Sequence, residues 1–89
     1  MSVKQDLVDA LSKEDTIQVR VDFKYMKSFK ERIDHLLQDI KSSCHLDFNK
    51  VVYVDNMSYV LLEASTGFIK ELLKHKLVVC ACLNTRKRI

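Results

Sequence analysis

Residues 51–64, with the sequence VVYVDNMSYVLLEA, decide between two folds for this chain. In the first fold, residues 55–58 form a turn and residues 59–64 return as the second strand of a β-hairpin, because apolar, β-branched and aromatic residues flank the turn. In the second fold, one helix runs through residues 57–75, since the apolar residues of this segment also recur at the helical period. The two alternatives lead to different sheets.

The residues that follow the hairpin favour the first fold. A glycine inside a helix costs about 1 kcal/mol relative to alanine, so Gly67 would weaken a long helix. Ser65 or Thr66 can instead cap a new, short helix at this point. The packed face of that helix would consist of Phe68, Ile69, Leu72 and Leu73. Residues 77–83, LVVCACL, are then predicted to form a last, largely buried strand.

Three further elements are predicted upstream of the hairpin turn. Residues 16–23 alternate strictly between apolar and polar side chains, which is typical of a strand with one face in water. From Ser28 the period changes to 3.6, and Ser28 with Glu31 forms the capping-box pattern of a helix start. Strand character then returns over residues 45–54.

A short amphipathic helix is predicted at the N-terminus, where Ser2 and Gln5 form another capping-box pattern. The remaining elements follow in the order βαββαβ. We therefore expect an α+β protein with a ferredoxin-like two-layer sandwich and an extra N-terminal helix. Both helices of this sandwich would cover one face of the sheet and leave the other open. The prediction is one compact domain over residues 1–89, with a short basic tail at residues 84–89.

One segment resembles part of a known family. Residues 46–55, LDFNKVVYVD, followed by a run that could be helical and by LVVCACL, resemble the middle of a STAS domain of the anti-sigma-factor antagonist type. The resemblance covers about half the chain and implies, as the alternative fold, a βαβαβ α/β sheet. It also implies a regulatory, non-enzymatic binding module that is controlled by a phosphorylated serine. Met57 stands at that serine position in this chain, which puts the phosphorylation switch in doubt.

Composition predicts a small, folded, intracellular protein. The 89 residues are 47% apolar and 30% charged, which separates the chain from disordered proteins. A chain of this length buries only about 60 to 65% of its unfolded surface, so dimerisation would add to a thin core. There is no apolar run that could span a membrane and no signal-peptide pattern. Three cysteines, an odd number, favour reduced thiols, and we expect a cytoplasmic location.

No residue pattern predicts catalysis, a cofactor or a metal. Zinc can be bound by residue types such as those of Cys80, Cys82 and His75, but the spacing of these three residues differs from that of structural zinc sites. Asp47 and Asp55 would lie about 26 Å apart along an ideal strand, which is too far to act on one bond. We therefore expect a protein that is not an enzyme and that carries no catalytic, cofactor-binding or metal-binding residues.

Protein association is the function that the sequence favours. The last strand and residues 51–54 carry more apolar surface than two short helices can cover. We expect this surface to pair with a second copy or with another subunit of a complex, in a regulatory or interaction role. The predicted interaction residues are Val52, Val54, Tyr59, Leu61, Val79 and Ala81.

The alternative function is nucleic-acid binding, most simply RNA on the open sheet face. Tyr59 would stack with a base, as aromatic residues do on RNA-binding sheets of this class. The net charge of +3 is modest, and most charges are interspersed, but the C-terminal tail carries three basic residues without an acidic neighbour. The predicted phosphate contacts are Arg20, Lys24, Lys50, Arg86, Lys87 and Arg88.

Overall fold

The computed structural model describes residues 2–84, which form one mixed sheet of five strands and three α-helices. The α+β class predicted from the sequence is confirmed. In chain order the elements are β1 (Ser2–Val3), α1 (Gln5–Lys13), β2 (Thr16–Phe23), α2 (Phe29–Cys44), β3 (Phe48–Val54), a 3₁₀ turn (Asp55–Met57), β4 (Tyr59–Ser65), α3 (Thr66–Leu73) and β5 (Val78–Leu83).

The strands lie in the order β1-β5-β2-β4-β3. β2 pairs antiparallel with both β4 and β5, β3 pairs antiparallel with β4, and only the two-residue β1 pairs in parallel, with β5. β4 therefore hydrogen-bonds on both sides, and its inward residues Val60, Leu62 and Ala64 are fully buried. Residues 59–65 are a strand and the helix begins only at Thr66, so the hairpin is confirmed and the single helix over residues 57–75 is wrong.

All three helices pack on one side of the sheet. Leu7 of α1, Leu37 of α2 and Phe68 of α3 are fully buried in one core with the inward residues of the strands. On β2 these inward residues are Ile17, Val19, Val21 and Phe23. No polar or charged residue is buried within residues 2–84. The opposite side of the sheet has no helix on it among these residues, so the strict alternation of β2 predicted the wet face correctly.

The helix starts differ in part from the sequence prediction. Ser65 caps α3 as expected, since its Oγ accepts a hydrogen bond from the backbone N–H of Phe68 at 3.2 Å. The capping boxes at the other two helices are wrong. Ser2 lies in β1, and Lys4 precedes α1 without a side-chain cap. Ser28 adopts a left-handed backbone with φ of 56° and makes no capping bond, because capping requires an extended backbone at this position.

Candidate interaction surface

The side of the sheet that faces away from the helices is called the open face here. Its side chains alternate with the buried ones along each strand, and the strand registers align them into rows across the sheet. The open face consists of Ser2 on β1, Cys80 and Cys82 on β5, Gln18, Arg20 and Asp22 on β2, Tyr59, Leu61 and Glu63 on β4, and Lys50, Val52 and Val54 on β3.

A polar cluster crosses the middle of the open face. The Nε of Arg20 donates a hydrogen bond to Asp22 Oδ1 at 2.9 Å, and the guanidinium lies over the ring of Tyr59 at 3.8 Å from its centroid. The thiol of Cys80 donates to the other oxygen of Asp22 at 3.3 Å. Neighbouring strands thus supply a cation, a carboxylate, a thiol and an aromatic ring that bind one another.

These contacts raise the pKa values of Arg20 and Cys80, and for Cys80 the raised pKa lowers reactivity at neutral pH. The hydrogen bond to Asp22 raises the pKa of Arg20 above its ordinary value. Burial, and then the hydrogen bond to Asp22, raise the pKa of the Cys80 thiol. A thiol reacts as the thiolate, so a raised pKa makes Cys80 a poor nucleophile at neutral pH. The contacts within the cluster are those of a structural hydrogen-bond network and not those of a reactive site.

Arg20 also covers the aromatic ring that the sequence predicted as a base-stacking residue. Tyr59 and its neighbour Leu61 are only 8% and 9% exposed, although no helix within residues 2–84 lies over them. The long side chain of Arg20 is placed over the Tyr59 ring by its bond to Asp22. A nucleic-acid base could reach the face of Tyr59 only after Arg20 moves away.

A second polar group lies at the other end of the open face. Glu63 accepts hydrogen bonds from Gln18 Nε2 at 3.0 Å and from Asn49 Nδ2 at 3.2 Å. These two bonds hold the pKa of Glu63 below its usual range, and the charge of Lys50 acts in the same direction. Glu63 is therefore an ionised carboxylate directly opposite Lys50, which is one of the predicted phosphate contacts.

Apolar residues remain exposed beside these polar groups. Val52 on β3 is 41% exposed and Val54 is half-buried, and both belong to the open face. Val79 of β5 is 44% exposed and lies at the register irregularity between β2 and β5. Three of the predicted interaction residues thus keep apolar surface in contact with solvent.

The structure brings most of the other predicted residues to the same face, with clear exceptions. Ala81 lies on the helix side and is buried in the core, because it faces Val21 in the register of β5, so its side chain does not reach the open face. Lys24 is exposed just after β2, beyond the end of the open face. The basic residues Arg86, Lys87 and Arg88 lie outside the described residues.

The sequence indicates only some of the contacts between side chains of the open face. The alternation of β2 is enough to put Arg20 and Asp22 on one side. It carries no information about Cys80 or Tyr59, since those residues become neighbours only through the strand order. The same holds for Asn49, whose bond to Glu63 depends on the irregular register between β3 and β4.

Two histidines line a groove that lies apart from the open face. It has a volume of about 390 Å³ and lies between α2 and the turn that joins α3 to β5, with His35, Asp39 and His75 in its lining. Nδ1 of His35 lies 3.4 Å from the Asp39 carboxylate, and Nδ1 of His75 accepts the backbone N–H of Leu77 at 3.2 Å. No group of three His, Cys, Asp or Glu side chains in residues 2–84 is placed to hold a metal.

No protein-family model, curated protein or solved structure matches the chain. The resemblance of residues 46–55 to STAS domains stays a prediction. No helix in residues 2–84 has the length and apolar character needed to cross a membrane.

Proposed function

We propose that this protein is a small, non-enzymatic interaction module that binds another protein through the open face, as a dimer or as a subunit of a complex. We further propose that its fold is ferredoxin-like. Support for this fold comes from the antiparallel order β5-β2-β4-β3, with one helix after β2 and one after β4. In that description β1 and α1 are additions at the N-terminus.

The single observation that carries the proposed function is the one-sided packing of the helices. The described helices bury one face of the sheet, while Val52 and Val54 stay accessible on the other face. The polar groups elsewhere on this face are largely bonded to one another, as in the Arg20–Asp22 pair. A surface with an apolar part and a self-satisfied polar part suits a protein partner, because little polar desolvation is left uncompensated on binding.

The electrostatics of the open face also favour a protein over a nucleic acid. Two carboxylates, Asp22 and Glu63, lie among the basic residues that would contact phosphate. Arg20 is already paired with one of them, and the ring of Tyr59 is covered. Nucleic-acid affinity depends on cations that are free to neutralise phosphate, so the described part of this face offers a weak footprint.

The test is a pull-down from the source cell with matched charge substitutions. Leu61→Arg puts a charge in the centre of the open face, where the long stem can lie along the sheet and the guanidinium can reach solvent. Val8→Arg is the control, because Val8 is 45% exposed on α1, on the helix side. We expect a defined protein to be captured by the wild type and by Val8→Arg, and to be lost with Leu61→Arg.

A second open-face variant keeps the test valid if Leu61→Arg does not fold. Cys82→Arg changes the same row of the face on β5, and thermal unfolding identifies any variant that is no longer folded. Equal capture by all the folded variants would overturn the proposal. Salt-dependent retardation of RNA by the wild type, lost when the predicted phosphate contact is reversed in Lys50→Glu, would replace it with the nucleic-acid function.

A further inference from the structure

β3 forms a free edge of the sheet. It is the last strand in the order β1-β5-β2-β4-β3, and it is seven residues long, whereas β1 at the opposite edge has two. Within residues 2–84 no strand pairs with the outer side of β3. A long free strand exposes a row of backbone donors and acceptors that can pair with another chain.

The hydrogen-bond pattern of the sheet identifies which backbone groups point outward. The N–H of Phe23 donates to the carbonyl of Ser58 at 2.8 Å, and the N–H of Thr66 donates to Asp15 at 2.9 Å. Even-numbered residues of β4 therefore bond toward β2, and odd-numbered ones bond toward β3. In the register between β3 and β4, Val52 and Val54 bond inward, which leaves the N–H and C=O groups of Val51 and Tyr53 on the free edge.

The two halves of β3 are protected to different degrees. Its first half has a register irregularity between Phe48 and Lys50, and Lys50 itself is charged and exposed. Irregular register and lysine are common devices that block pairing at sheet edges. Residues 51–54, VVYV, contain no charge and no proline, and they are regular in register. The unprotected half is therefore short, apolar and able to pair.

We propose that β3 pairs antiparallel with β3 of a second copy, with Val52 on the two-fold axis. This proposal rests on the proposed function as an interaction module and specifies the partner for its dimeric form. In this register Val51 faces the partner's Tyr53, and each pair exchanges two backbone hydrogen bonds, four in all. Val52 meets its own copy at a position without hydrogen bonds, where side chains approach most closely, and becomes buried.

Charge complementarity selects a second copy as the occupant of this edge. Lys50 lies on one end of the unprotected segment and Asp55 follows its other end. Antiparallel pairing about Val52 sets Lys50 opposite the partner's Val54, one residue from the partner's Asp55. The same contact repeats at the other end by symmetry. A self-complementary arrangement of charge and of outward backbone groups is the requirement for a two-fold interface.

Disulfide trapping tests the position of the axis. Val52→Cys is made in a Cys44→Ser background, because Cys44 is the exposed native thiol. Val8→Cys in the same background is the matched control, since the two valines have similar exposure and lie on opposite sides of the sheet. On mild oxidation we expect most of the Val52→Cys protein to form a covalent dimer, with only traces from Val8→Cys. Equal yields from the two variants would overturn the proposal.

A charge exchange tests the orientation of the strands. Lys50→Glu brings a carboxylate close to Asp55 of its copy, and Asp55→Lys brings an amine close to Lys50, so each variant alone should dimerise at least about threefold more weakly than the wild type. A mixture of the two restores opposite charges at both ends, and sedimentation should show association close to the wild-type level. If neither variant weakens association, or if the mixture stays as weak as its components, antiparallel pairing about Val52 is excluded.

Failure of this pairing can be told apart from failure of the open-face function. A wild-type protein that sediments as a monomer at high micromolar concentration removes the β3 pairing, while the Leu61→Arg pull-down still reports on the open face. Conversely, Val52→Cys trapping with unchanged capture by Leu61→Arg supports the edge and removes the face. Loss of a captured protein with Val52→Lys, from a wild type that is monomeric, would show that another protein occupies the edge.

Discussion

The guanidinium carbon of Arg20 lies 3.8 Å from the centroid of the Tyr59 ring, across the junction of β2 and β4. The Nε of the same side chain donates to Asp22 at 2.9 Å, which fixes its orientation over the ring. One charged residue thus covers the apolar centre of a sheet face that no described helix covers. The character of the open face depends on this contact.

Removing that cover should lower stability. Arg20→Ala deletes a cation–π contact worth about 0.5 to 1 kcal/mol, exposes the Tyr59 ring and removes the ion pair with Asp22. We expect the free energy of unfolding to fall by about 1 kcal/mol in urea denaturation. Arg32→Ala, at an exposed position of α2, is the control and should change it by less than about 0.5 kcal/mol. Equal effects would show that the contact contributes nothing specific.

Cys80 should be alkylated more slowly than the exposed Cys44. Burial and the hydrogen bond to Asp22 raise the pKa of Cys80, so little thiolate is present at pH 8. In variants that keep only one of the two thiols, we expect alkylation by iodoacetamide to be several-fold slower at Cys80. Asp22→Asn should accelerate the reaction at Cys80, as followed by mass spectrometry. An unchanged rate would mean that the carboxylate has no influence on the thiol.

Glu63 should give a pH-dependent contribution to stability. Its folded-state pKa is held below the ordinary value of 4.5 by hydrogen bonds from Gln18 and Asn49. The ionised form therefore stabilises the fold above pH 4.5, and this contribution is lost as the pH falls through the lower folded-state pKa. Gln18→Ala should move the pKa of Glu63 back toward 4.5 in a carboxyl NMR titration. Gln38→Ala on α2 should leave it unmoved.

Gly67 should be replaceable without harm. It is the second residue of α3, it has no positive φ, and a Cβ at this position would lie 3.4 Å from a terminal methyl of Leu46. That distance is an ordinary contact with a movable side chain, so Gly67→Ala gains helix propensity. We expect the free energy of unfolding to rise by about 0.5 kcal/mol. A loss of stability would show that Leu46 cannot shift.

The local elements of the fold were predictable because their patterns are strong. The alternation of residues 16–23 fixed β2 and its wet face, and the 3.6-residue period fixed α2. Gly67 and the capping residues before it favoured the hairpin at residues 55–58, although the apolar residues of this segment also recur at the helical period. Helix starts were less predictable, as Ser28 shows, because a capping pattern does not report the φ value that the chain adopts.

The open face was predictable only in outline. Of the predicted interaction residues, Val52, Tyr59 and Leu61 lie on this face, whereas Ala81 lies in the core. The error comes from β5, where nearly every residue is apolar and the sequence has no alternation to separate one face from the other. Register with β2 decides which of its residues point outward.

By itself, the sequence determined the class of the fold, the run of elements and the one-sided character of β2, because each depends on residues close together in the chain. Only the tertiary structure decided which side chains meet on the open face and which strand is left free at the edge. Arg20, Tyr59 and Cys80 come together through strand order, and the outward groups of β3 follow from its register with β4. Local pattern carries no record of such long-range pairing, which depends on packing the whole sheet.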